Sequence, residues 1–331
     1  LENRYFPGPP DVSVTNGEAR LSSTAGLPPP RAGAVARRQQ LVAYMLLAPA
    51  VIVLVVLAAY PLVFSGVLSF KVDPLYNPDV AHFIGWRNYE DLFDNKRFWK
   101  SVRLTLIWAA VVVTIQMVLG FFIAVLLDRQ MRGVGLLRAL FIIPVFISPI
   151  AMGLTWRFIF EPVSGLANWV LNTGFGLEKL LWLSHKDSAL ATLMIVDCWQ
   201  WTPFIALILL AGMQSISPEI TEAARLDRIR GFAYYTRIVI PLIRPVIMVV
   251  ILIRLVDSIR IFDLNWVMTE GGPGSATLMA SVYDYTIFKQ GHLGLMAAYG
   301  FLILILINII VVAFLNSLYR TEKAARIAEL N

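Results

Sequence analysis

Residues 104–127 read LTLIWAAVVVTIQMVLGFFIAVLL, without one charged side chain. A helix rises 1.5 Å per residue, so a run of this length crosses the ~30 Å of hydrocarbon in a bilayer. It has no polar stripe, which a helix on the surface of a water-soluble domain would need. Working outward, Leu41–Phe70, Ala139–Trp156 and Leu293–Tyr319 are equally free of charge. Two more segments are apolar but interrupted: Ser188–Ile216 by Asp197, and Leu242–Met268 by Arg254, Asp257, Arg260 and Asp263. Together the segments predict an all-α integral membrane protein with six transmembrane helices. Bulk composition agrees, because only 15% of the 331 residues are charged, against about 25% in soluble domains.

An even number of spans puts both termini on one side. Residues 1–40, 128–138, 217–244 and 320–331 hold sixteen Lys/Arg, whereas 71–100, 161–187 and 269–292 hold eight. The positive-inside rule then makes the termini and the 217–244 connection cytoplasmic in a multi-pass protein of the cell membrane. The basic residues are dispersed among the spans, so the net charge of +6 does not describe a nucleic-acid surface.

Residues 1–40, with Pro28-Pro29-Pro30 and many small polar residues, read as a disordered cytoplasmic tail. Residues 41–320 read as the membrane domain and 321–331 as a second cytoplasmic tail. Leu1 stands where a Met is expected, so the first few residues are set aside as a processing remnant, and no signal-peptide pattern precedes the first span. Between the first two spans, Asn88 to Trp99 interleaves Tyr89, Leu92, Phe93 and Trp99 with charges. That pattern suits an amphipathic helix, either lying at the lipid interface or capping the bundle.

Enzymatic and metal chemistry find little support. One cysteine (Cys198) excludes an intrachain disulfide, and His82, His185 and His292 are far apart. No Gly-Lys dipeptide occurs, so no Walker A loop can cradle nucleotide phosphates, and HExxH and GxSxG are missing too. The carboxylates at membrane depth are Asp197, Asp257 and Asp263.

The connection Ser217–Pro241, SPEITEAARLDRIRGFAYYTRIVIP, reads as helix, break, helix. Ser217 suits an N-cap, and Pro218 the first helical position, where its missing N–H costs nothing. Glu219 and Glu222 lie near the positive end of the helix dipole. Gly231 is the residue tolerant of positive φ and breaks the run. A helix pair with small Ala223-Ala224 on its surface could seat in a partner's groove, or be a plain loop.

This stretch resembles the EAA loop of permease subunits in binding-protein-dependent ABC importers. Glu222-Ala223-Ala224, Asp227 and Pro241 stand where the motif has them, and Arg228 stands where the family has Gly. The resemblance covers roughly residues 41–320 and sharpens to the carbohydrate, maltose-type branch through FIGWRNY (83–89), IIPVFISP (142–149), WQWTPF (199–204) and IFDLNWVMTEGGPG (261–274). It implies the type I ABC importer permease fold and a coupling element formed by Glu222, Ala223, Ala224, Asp227 and Gly231. The partners it implies are a second permease, two ATPase subunits that bind the ATP and Mg, and an extracytoplasmic solute-binding protein. This chain itself would then carry no cofactor.

Charges at membrane depth almost always face a bundle interior or water. Arg254 and Asp257 can pair at (i, i+3), and so can Arg260 and Asp263, for which a structural pair is expected. By register from the EAA loop, the resemblance places substrate-binding positions on Gln200, Trp201, Phe204, Arg254, Asp257, Ser258 and Ile261. An aromatic face beside polar groups suits a sugar ring, whereas Trp199 and Trp201 could equally be packing or belt residues. The expected cargo is a disaccharide such as maltose or trehalose. A polyol or glycerol phosphate importer, or an ion-coupled secondary transporter using Asp197 or Asp257 as proton carrier, are the alternatives.

Overall fold

The computed structural model describes residues 32–72, 82–129 and 133–330. Of the tail expected over residues 1–40, residues 1–31 lie outside the described residues. Helix α1 (Ala32–Leu68) begins nine residues before the expected boundary at Leu41, because Ala, Arg and Gln in AGAVARRQQ are good helix formers that extend the apolar run backwards. The chain divides into two compact units, residues 1–61 and 62–331.

In the second unit the end of α1 leads into a two-stranded antiparallel ribbon, β1 (Lys71–Val72) with β2 (His82–Phe83). Helices α2 (Arg87–Asp94) and α3 (Lys96–Leu127) follow, separated at Asn95, whose side chain accepts from the Arg97 N–H and caps α3. The expected amphipathic stretch is therefore two elements, and α2 packs on the last helix with Leu92 buried and Asn88 Nδ2 donating to the Ser69 and Lys71 carbonyls. Then come α4 (Val134–Phe141), α5 (Pro149–Ile159), α6 (Leu166–Trp169), α7 (Lys186–Gln214) and α8 (Pro218–Leu226). The chain continues through α9 (Phe232–Tyr234), α10 (Ile240–Leu242), α11 (Arg244–Ile259), α12 (Asp263–Thr269), α13 (Ala280–Lys289) and α14 (Leu293–Leu330). Helix α14 runs past the expected end at Tyr319, through another Ala- and Lys/Glu-rich stretch.

Among the described residues four helices are long and apolar enough to cross a membrane, or up to six spans when each of two bent pairs counts as one. The expected span Ala139–Trp156 is broken where proline interrupts it, and a second bend falls at the start of the expected span Leu242–Met268. The stretch Val134–Phe146 meets Pro149–Ile159 at 94°, and Phe232–Leu242 meets Arg244–Ile259 at 73°. Pro144, Pro149, Pro241 and Pro245 lack the N–H a continuous helix needs and clash with the preceding turn. Backbone freed inside a membrane protein must find internal partners; at the first break Gln200 Nε2 donates to the Ile147 carbonyl at 3.1 Å.

The charged stretch Leu242–Met268 also departs from expectation. Helix α11 stops at Ile259 with Arg260 as its C-cap, and Asp263 opens α12. Among the described residues no Arg260–Asp263 ion pair forms. The two residues sit on different elements, and Asp263 instead lies at the positive N-terminus of α12.

The most extensive helix pairing is α3 with α7, and α11 packs onto both. Trp108, Val112, Leu193 and Val196 fill one end of this core, and Ala124, Ile205, Leu209 and Val250 the other. Gly120 allows the close approach between them: a Cβ there would fall 2.7 Å from Ile205 Cγ2 and 3.3 Å from the Ala206 nitrogen. Ile205 is buried and stiff at χ1. Gly120→Val is therefore expected to cost about 1–3 kcal/mol by overpacking, seen as a lower unfolding midpoint in detergent. An unchanged midpoint would mean that α3 and α7 are free to separate.

Candidate functional site

Two regions carry the residues singled out from the sequence: the 217–241 connection and the face where α3, α7 and α11 meet. In the connection, Ser217 is extended and precedes α8 with Pro218 in the first turn. It makes no side-chain bond to the helix backbone. The Ser217 hydroxyl beside it holds the Glu219 carboxyl below the usual carboxylate range. Helix α8 ends in a Schellman pattern: Ile229 N–H bonds the Ala224 carbonyl at 2.9 Å and Arg228 N–H bonds the Arg225 carbonyl at 3.1 Å.

That motif needs a left-handed residue at the position after the cap, usually glycine. Arg228 fills it at φ 58°. Gly231 lies at φ 59° and ψ −134°, a region nearly closed to other residues. A Cβ on Gly231 would meet nothing within 4 Å, so conformation alone requires glycine there. Arg228→Gly is expected to shift stability by less than about 1 kcal/mol, strain relief being offset by unfolded-chain entropy. Gly231→Ala should cost about 1–3 kcal/mol, read as faster amide exchange over 226–235, and equal protection in both variants would refute the assignment.

Of the five expected coupling positions, Glu222, Ala223, Asp227 and Gly231 are exposed, and Ala224 is buried against its own chain. Thr221 Oγ1 and the Tyr234 hydroxyl, 3.2 Å apart, tie α8 to α9. Two residues missed in the sequence stand out beside the break: Leu226 is 84% exposed and Phe232 85%. Large apolar side chains exposed in a connection flanked by arginines are the available signal.

At membrane depth, the structure joins Gln116 of α3, Asp197 of α7 and Arg254 of α11. Arg254 Nη2 donates to Asp197 Oδ2 at 3.1 Å, Arg254 Nε to Gln116 Oε1 at 3.1 Å, and Gln116 Nε2 to Asp197 Oδ2 at 2.8 Å. All three residues are buried, Arg254 at 2% exposure. The expected Arg254–Asp257 contact is looser, 4.0 Å, with the Asp257 side chain 48% exposed. Gln116 is the single amide in its uncharged run, and Asp197 and Arg254 are opposite charges in neighbouring spans. Those are the sequence signals that could have joined them.

The remaining candidate residues arrange around this triangle. The Arg254 guanidinium carbon lies 4.7 Å over the Trp201 ring, and Trp201 meets Phe204 edge-on at 6.1 Å. Ser258 is buried within 3.5 Å of Arg254 Nη2, and Gln200 is buried on the Ile147 carbonyl. Trp201, Phe204 and Ile261 are half-buried. Trp199 points elsewhere: it packs edge-on against Trp156 and lines an apolar cavity of about 530 Å³ with Ile115, Leu119 and Met194. Beyond Ile261, Asn265, Thr269 and Thr277 knit the Gly271–Gly274 loop by hydrogen bonds of 2.7–2.9 Å.

The membrane helices thus carry a buried charge triangle and an exposed helix–break–helix connection. The chain belongs to the family described as binding-protein-dependent transport system inner membrane component, whose pattern it matches over residues 116–322. It is 32% identical over 279 residues to the trehalose/maltose transport system permease protein MalF of Thermococcus litoralis, covering 84% of this chain and 94% of that one. It is also 32% identical over 275 residues to the trehalose transport system permease protein SugA of Mycobacterium tuberculosis, covering 83% and 87%. Its fold matches a chain in the crystal structure of a bacterial ABC transporter involved in import of the acidic polysaccharide alginate. There the TM-score is 0.75 at 21% identity, over 88% of this chain and 99% of that one.

Proposed function

We propose that this chain is one permease subunit of an ATP-driven sugar importer, moving a disaccharide such as trehalose or maltose into the cytoplasm by alternating access. What supports the reading most is the 217–241 connection: two short helices around a glycine-dependent break, exposing Glu222, Ala223 and Asp227 beside Leu226 and Phe232. Two ATPase subunits, which bind the ATP and Mg, would seat this element, and their closure would tilt the attached α11. A second permease completes the cavity, and a solute-binding protein delivers cargo at the outer face. Both termini then lie in the cytoplasm.

Within the cavity, we infer that Trp201, Phe204, Asp257 and Ile261 meet the sugar. An aromatic plate suits the apolar C–H face of a pyranose, and a carboxylate accepts from its hydroxyls. Gln200, Arg254 and Ser258 hold that wall from behind, since each has a polar group engaged within the chain. The test is uptake of radiolabelled trehalose and maltose by the whole complex in proteoliposomes. Glu222→Ala with Asp227→Ala should abolish ATP-driven uptake while capture by the binding protein persists. Uptake that survived both changes and collapsed with the proton gradient would instead establish an ion-coupled transporter.

A further inference from the structure

We propose that Asp197 and Gln116 are positioning residues that withdraw Arg254 from the solute, so that the cavity wall presents the Asp257 carboxylate beside Trp201. The proposal rests on the importer reading above and deepens it, because it names the solute class the wall accepts: neutral and hydroxyl-rich rather than anionic.

The argument begins with donor counting. Arg254 carries five N–H donors in a rigid fork and cannot lose its charge. Nε is spent on Gln116 and Nη2 on Asp197 and the Ser258 hydroxyl. Gln116 is fixed in turn, because its Nε2 donates both to Asp197 Oδ2 and to the Asp197 carbonyl at 3.1 Å. With its ring close under the guanidinium, Trp201 blocks one face of Arg254. What remains is Nη1, directed towards Asp257 at 4.0 Å.

Exposure sorts the charges the same way. Arg254 and Asp197 side chains are 2% and 5% exposed, and Asp257 48%. A half-exposed carboxylate at this depth has to face water or a partner rather than lipid. Asp257 therefore accepts hydrogen bonds from hydroxyl donors, and its negative charge opposes an incoming phosphate or carboxylate. Without Asp197, the same arginine would be an anion site beside an aromatic ring. The pair at Asp197 and Arg254 thus decides which sign of charge the solute meets.

The experiment uses the whole complex with its binding protein in proteoliposomes, trehalose as cargo and glucose 6-phosphate as competing anion. Asp197→Asn should make trehalose uptake sensitive to glucose 6-phosphate at concentrations about tenfold lower than in the parent. Asp197→Asn with Arg254→Gln should lose that sensitivity again. A residue that merely supports the fold would lower uptake without creating anion inhibition, and that result overturns the proposal.

A second measurement is independent of cargo. In the purified complex, phenylglyoxal should leave Arg254 unmodified in the parent and modify it at least about tenfold faster in Asp197→Asn or Gln116→Leu, read by peptide mass spectrometry. Modification of Arg254 in the parent as fast as that of the exposed Arg260 would overturn the assignment. Absence of trehalose uptake by the parent, with the labelling as expected, would remove the cargo reading and leave the positioning roles standing.

Discussion

On the proposed importer reading, replacing Leu226 and Phe232 together by glutamate is expected to abolish co-purification of the ATPase subunits while the chain still inserts and folds. Both side chains are more than four-fifths exposed on either side of the Arg228–Gly231 break. Neither supports the bundle, so their loss costs the isolated chain almost nothing. A leucine or phenylalanine that fills a partner's groove is worth about 2 kcal/mol or more when removed, and a buried carboxylate in its place adds a desolvation cost. Two such losses lower the affinity on the order of a thousandfold. The measurement is affinity capture from detergent-solubilised membranes, with ATP turnover assayed in the eluate. Normal assembly of the double variant would mean that these side chains face lipid headgroups and that Glu222 and Asp227 alone carry the contact.

How much of this was legible beforehand follows the physics of each feature. Uncharged runs such as 104–127 announce spans because hydrocarbon accepts nothing else, and α3 and α7 are where the sequence puts them. The breaks at 142–149 and 241–245 were not legible as angles, since proline forecasts a kink but not 94° or 73°. Residues 259–263 misled for a related reason. Spacing of three reads as one helical stripe only if the helix continues, and it stops at Ile259. At the connection, glycine tolerance correctly pointed to Gly231. The left-handed Arg228 was hidden, because nothing in an arginine codes for positive φ and the Schellman bonds of Ile229 and Arg228 impose it. The charge triangle needed three helices in register, so Arg254 was matched with its sequence neighbour Asp257 when its nearer partner lies 57 residues away.

Arg254→Met alone is expected to destabilise the protein by about 3–5 kcal/mol, whereas Arg254→Met with Asp197→Asn should restore most of that loss. The asymmetry comes from what each variant leaves behind. The single change removes the guanidinium from a 5%-exposed carboxylate and leaves only Gln116 Nε2 donating to it. An uncompensated charge in a low-dielectric interior is the costly state, more so than a lost bond. The double variant leaves a neutral amide beside Gln116 and a methionine of similar reach over Trp201, and replacing both members of a buried pair is often near neutral. Unfolding midpoints of the four proteins of this cycle in one detergent give the coupling directly. If the two single variants and the double variant lost stability additively, Asp197 and Arg254 would be bystanders packed by chance. A large positive coupling would mark the pair as the feature that holds α7 to α11.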